Sequence, residues 1–133
     1  MSSFISHIAT VEIPVSNLPS SISFYQEILG VHIHFQGERN AMLTFNQQGV
    51  PTIFLVETES TEKLSFQNFH TEVVHSILDF YTNDLEGFYH WLKEKEIEVG
   101  PYNVNPDNGF GGFGFKDPDG NLLSATNVLH PGQ

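Results

Sequence analysis

The chain repeats itself, and this internal repeat limits the possible folds more than any other feature. Ala9-Thr10-Val11-Glu12-Ile13-Pro14-Val15 runs into the polar step Ser16-Asn17-Leu18-Pro19 and then an amphipathic stretch. Ser76-Ile77-Leu78-Asp79-Phe80-Tyr81 runs into Thr82-Asn83-Asp84-Leu85 and a second amphipathic stretch. Asp84 follows Asn17 by roughly 67 residues, half of the chain. Two similar supersecondary units must therefore be accommodated, and each reads as a strand, a helix and three further strands.

The helices are bounded by their own end signals. The first is predicted over Pro19–Leu29: Asn17 or Ser16 can accept from the free backbone N–H groups, Pro19 suits the first turn, and Gly30 stops it. Ile22, Tyr25 and Leu29 fall on one face, with Phe24 and Ile28 beside them. The second is predicted over Leu85–Lys95, capped by Asp84, with Leu85, Phe88 and Leu92 as its stripe. Strands are expected at Val31–Phe35, Ala41–Asn46 and Thr52–Glu57, and again at Val99–Asn103, Gly112–Lys116 and Leu122–Asn127. Gly49-Val50-Pro51 and Asp117-Pro118-Asp119-Gly120 supply the hairpin turns. The expected organisation is one domain over residues 1–133, with a first module at 7–57, a polar linker at 58–73 and a second module at 74–128.

Composition removes several function classes. With no cysteine there are no disulfides, thiolate nucleophiles or thiolate metal sites. The formal charge is -11, and Arg39, Lys63, Lys93, Lys95 and Lys116 are the only Lys and Arg. Such a surface repels phosphate backbones and anionic membranes, so neither nucleic acid nor membrane is an expected partner. A small uncharged or cationic ligand suits the field. The first residues, Met1-Ser2-Ser3-Phe4-Ile5, lack a basic segment and a long apolar run, and a cytoplasmic location is expected. Gly109-Phe110-Gly111-Gly112-Phe113-Gly114 matches G-x-G-x-x-G, but it leads into a Pro-Gly turn rather than a helix. It therefore reads as the glycine-softened entrance of a strand, not a dinucleotide site.

The ordered motifs resemble a known superfamily. They are Pro14-Val15-Ser16-Asn17-Leu18, the helix end Phe24-Tyr25-Gln26-Glu27-Ile28-Leu29-Gly30, the strand Thr52–Glu57 and the final Phe115-Lys116-Asp117-Pro118-Asp119-Gly120-Asn121-Leu122-Leu123. Over about Ile8 to Val128 the chain is similar to the vicinal oxygen chelate proteins: glyoxalase I, bleomycin-binding proteins, fosfomycin-resistance enzymes and extradiol dioxygenases. The resemblance implies an α+β fold, two βαβββ modules in tandem whose sheets curl into an open barrel around a cavity. It also implies metal ligands on the first and last strand of each module. Counted from the turns, those positions are Thr10, Leu55, Ile77 and Ser124, where no His, Gln or Glu stands. The family's usual metal set is therefore expected to be absent.

Side chains two apart on a strand share a face. Glu12, Glu57 and Asp79 each lie two residues after one of these positions, and His75 lies two before Ile77. The first hypothesis is an acidic ligand pocket without a cofactor, drawing on Thr10, Glu12, Leu55, Glu57, His75, Ile77, Asp79, Tyr81, Phe110 and Ser124. Crowded carboxylates share protons, so Glu57 or Asp79 could serve in acid/base chemistry. The alternative is a divalent metal held by Glu12, Glu57, His75 and Asp79 in a lyase, isomerase or dioxygenase. A regulatory or scaffolding dimer is the third reading, and a homodimer is expected in any case. His7, and the pair His32 and His34, are weaker candidates.

Overall fold

The computed structural model describes residues 3–59 and 62–133. Met1 and Ser2, and Ser60 and Thr61 of the expected linker, lie outside them. The chain divides into two compact units, residues 1–62 and 63–133.

In the first unit β1 (Thr10–Val15) leads to α1 (Leu18–Leu29), then β2 (His32–Gln36), β3 (Asn40–Thr44) and β4 (Thr52–Glu57). The sheet order is β1-β4-β3-β2, with β1 and β4 parallel and the other pairs antiparallel. Both ends of α1 form as its residues dictate. Asn17 accepts from the Ser20 N–H at 3.0 Å, and Gly30, at φ 73°, donates to the Gln26 carbonyl. Glycine adopts that left-handed conformation without the Cβ clash that other residues meet. Ile13, Val15, Ala41, Leu43, Ile53 and Leu55 are buried on one face of the sheet, with Leu18, Ile22, Tyr25 and Ile28 of α1.

The second unit opens with a small hairpin, β5 (Phe66–Gln67) and β6 (Val74–His75). Its first strand falls within the polar linker expected over 58–73. Asn68 holds the hairpin turn through bonds to the N–H groups of His70, Thr71 and Glu72, two of them to its side chain. The repeat then resumes as β7 (Leu78–Tyr81), α2 (Leu85–Glu94), β8 (Asn103–Val104), β9 (Gly111–Lys116) and β10 (Leu122–Thr126). The sheet order is β7-β10-β9-β8, again with the first and last strands parallel. The strand expected at Val99–Asn103 is reduced to a bridge from Val99 to Phe115 and the two residues of β8. Pro101 has no N–H to give, so the ladder breaks around it.

The turn before β10 is tightly built. Buried Asp117 accepts from the N–H groups of Asp119 and Asn121 and from the Asn121 amide, all within 2.9 Å. Asn121 in turn accepts from the N–H of Leu64. Both sheets are four-stranded and open, not a closed barrel.

Candidate functional site

Alternation fixes which side chains are available for chemistry. In the second sheet Phe113, Phe115, Leu123 and Ala125 are buried, so Gly112, Gly114, Leu122, Ser124 and Thr126 occupy the other face. Register then aligns one rung across three strands on that open face: Asp79 opposite Ser124, and Ser124 opposite Gly114. The next rung is Tyr81, Thr126, Gly112 and Asn103.

A cleft of about 350 Å³ opens over these rungs. His75, Ser76, Asp79, Asn103, Ser124 and Thr126 give it its polar groups, and Gly111, Gly112 and Gly114 expose bare backbone. The Ser124 hydroxyl lies 2.7 Å from the Ser76 hydroxyl, 2.8 Å from Asp79 Oδ1 and 3.1 Å from the Leu78 carbonyl. Ser124 has one proton. Carboxylates and carbonyls only accept, and the charged oxygen is both nearer and the stronger acceptor. Ser124 thus donates to Asp79 and receives from Ser76. The second oxygen of Asp79 has no partner among the described residues, which leaves a carboxylate oxygen available to a ligand. The His75 ring stacks on Phe66, with centroids 5.2 Å apart, so the hairpin orients the imidazole.

The expected site residues separate into groups. His75, Asp79 and Ser124 line this cleft together. Ile77 and Tyr81 are exposed and Phe110 is 54% exposed, and none of the three lines it. Thr10 and Glu12 belong to the open face of the first sheet, where Thr10 bonds to Thr52. Leu55 does not share that face. It pairs with Ile13 and is fully buried, so the expected position was one residue out and the side turned over. Glu57 shares the parity of Leu55, not that of Glu12. It accepts from the Leu18 N–H at 2.9 Å and faces Arg39 at 3.6 Å, holding the start of α1. The expected rung of Glu12, Glu57 and Asp79 is therefore not one face.

Sequence reasoning missed Ser76, Asn103 and Gly114. A signal was present for the glycines: Gly112-Phe113-Gly114-Phe115 alternates with period two, which puts two rings on one face and nothing on the other.

No three His, Asp or Glu side chains among the described residues gather as a metal-holding group. Within the cleft only His75 and Asp79 are strong donors, and hydroxyls are weak ones. The alternative set fails as a unit, because Glu12 and Glu57 sit on opposite faces of one sheet. These donors do not fit a complete metal centre, and no chemical step follows from one here.

The sequence model of the glyoxalase/bleomycin resistance protein/dioxygenase superfamily matches residues 5–124. The chain belongs to this superfamily. Among curated members, the metallothiol transferase FosB of Staphylococcus epidermidis is 36% identical over 85 residues, which cover 64% of this chain and 57% of FosB. The match thus spans little more than half of that relative's length. Solved structures share the fold. The fosfomycin resistance protein FosX of Listeria monocytogenes superposes with a TM-score of 0.70 at 17% identity, covering 97% of this chain and 96% of its own. The antibiotic binding protein TnmS3 of Streptomyces sp. CB03234 gives 0.67 at 23% identity, covering 94% and 98%. Each unit traces the βαβββ order that the resemblance implied. No helix among the described residues is long and apolar enough to cross a membrane.

Proposed function

We propose that the chain is a small-molecule-binding member of the superfamily, with its ligand held in the cleft of the second unit. The observation that carries this reading is the hydroxyl relay. Ser76 donates to Ser124 and Ser124 to Asp79, at the wall of a cleft large enough for a small molecule. The relay holds Asp79 in place and leaves one oxygen facing the ligand. A cationic or hydrogen-bond-donating group is the partner such an oxygen selects, and the net charge of -11 favours its approach. Asn103 and Thr126 add neutral polar contacts, and His75 adds an imidazole that stacks on Phe66. Acid/base chemistry in the cleft would use Asp79 and His75, not Glu57, whose carboxylate is engaged at α1.

Asp79→Asn and Ser124→Ala test this reading. Both should weaken binding of small amidinium probes such as benzamidine by about tenfold, the worth of one charge-assisted hydrogen bond. Benzamidine affinity unchanged in both variants would sink it.

A second reading is a metal-dependent transferase, favoured by the likeness to a metallothiol transferase. It predicts that Zn²⁺ or Mn²⁺ binds stoichiometrically and that His75→Ala removes the binding. Titration calorimetry on protein isolated without chelators decides it: no binding at micromolar metal rejects the reading.

A further inference from the structure

The geometry points to Gly114 as the residue that selects the ligand's shape: a flat ring lies on the bare backbone of Gly112 and Gly114 while its cationic or N–H-bearing end reaches Asp79. This inference rests on the cleft being the binding site, as proposed above, and adds a shape requirement to it. The rung itself supplies the argument. Asp79, Ser124 and Gly114 stand side by side on neighbouring strands of one face. Strands are spaced by about 4.8 Å, so carboxylate, hydroxyl and open floor span about 10 Å. A group lying on Gly114 is thus close enough for its polar end to meet the free oxygen of Asp79.

The floor at Gly114 is open because of the side chain it lacks, not because of backbone strain. A Cβ there would meet the Leu122 Cδ1 at 3.2 Å, the movable end of a side chain, and Gly114 does not have the positive φ that demands glycine. Alanine is therefore compatible with the strand but would stand up into the cleft. Gly111 and Gly112 differ: a Cβ would collide with the Asn103 carbonyl oxygen at the first and with the Ala125 carbonyl oxygen at the second. Those two are required by the packing of the strands, whereas Gly114 is required only by whatever occupies the space above it. A thin ring fits over exposed peptide planes, while a puckered saturated ring is thicker and is held off them.

Three probes separate the possibilities: benzamidine, cyclohexanecarboxamidine, which has the same cation on a puckered ring, and benzoate, which has the flat ring and the opposite charge. Binding is followed by titration with ¹H–¹⁵N spectra of the intact protein. Benzamidine is expected to shift the amides of Gly112, Gly114 and Ser124 and to bind about tenfold more tightly than cyclohexanecarboxamidine. Gly114→Ala should cost benzamidine about tenfold and bring the two amidines level. Equal affinity of the two amidines for the native protein overturns the inference without any variant being made. If Asp79→Asn still weakens both in that case, the binding site stands and only the shape rule falls. Benzoate binding as well as benzamidine, with Asp79→Asn indifferent, overturns the site itself. Amidines that do not bind at millimolar concentration overturn both.

Discussion

The two halves place different side chains at the same step of their repeat. In the first sheet the rung Glu12, Phe54 and Met42 crosses β1, β4 and β3. In the second, Asp79, Ser124 and Gly114 cross β7, β10 and β9. Each has a carboxylate on the first strand. Beside it one half places an aromatic ring and a thioether, the other a hydroxyl and nothing. The covered faces show the opposite trend. Ser21 of α1 is buried over the first sheet, whereas Phe88 of α2 packs on Phe113 and Phe115 with centroids 5.9 and 5.5 Å away. One half has put its bulk on the open face, and the other has put it under the helix and left the open face hollow. A repeated unit can thus keep its strand pairing while changing which face carries its bulk.

The largest effect should come from the glycines. Gly111→Ala forces a Cβ against the Asn103 carbonyl and should cost about 3 kcal/mol, read as a lower urea midpoint. Gly114→Ala should cost less than about 1 kcal/mol, because only a side-chain tip must move. Equal losses would mean that the bare face is a packing necessity throughout, and the contrast between the halves would lose its functional meaning. The next effect is in the first half. Phe54→Ala removes a half-buried ring that lies 6.2 Å from Phe35 and should cost about 2 kcal/mol. Ser124→Ala, at the matching place, removes the bonds to Asp79 and Ser76 at a part-exposed position and should cost about 1 kcal/mol.

The repeat and both helices with their caps were legible because each rests on local chemistry: Asn17, Asp84 and Gly30 act on atoms three or four residues away. Val99–Asn103 was misread as a full strand since apolar residues there outweighed the missing donor of Pro101. The site was harder to read. His75, Asp79 and Ser124 were named by counting from turns, which works until one turn differs in length. In the first half that count placed Leu55 where Phe54 stands, and a slip of one residue exchanges the faces of a strand. Glu57 misled for the same reason. Ser76 lies before β7, where no alternation marks it, and it enters the site only through a contact with Ser124 across 48 positions of the chain.

Glu57 and Asp79 offer a direct comparison of two carboxylates. Glu57→Gln should lower stability by about 1 kcal/mol, because a charged acceptor at the first N–H of α1 becomes a neutral one. It should leave ligand affinity untouched. Asp79→Asn should do the reverse, changing benzamidine affinity with little change in the unfolding midpoint. Paired denaturation and titration curves for the two variants check the assignment, and an affinity loss in Glu57→Gln would return that residue to the site.

The last expected effect is a gain. The Ser21 hydroxyl is buried, at 1% exposure for the residue, and has no hydrogen-bond partner among the described residues. An orphaned hydroxyl forfeits its bonds to water, and serine is also a poorer helix former than alanine. Ser21→Ala removes the oxygen, keeps the Cβ packed on the sheet and should raise stability by about 1 kcal/mol. Enlarging the side chain should fail. Phe88 occupies the matching turn of α2 against rings that sit on strands containing glycine, while the first sheet is close-packed with Leu43, Ile53 and Leu55. Ser21→Phe should therefore destabilise by overpacking, by about 2 kcal/mol. Urea unfolding of both variants measures how far the two helix-covered faces have diverged: a tolerated Phe at position 21 would show that the first half retains room for the packing its counterpart uses.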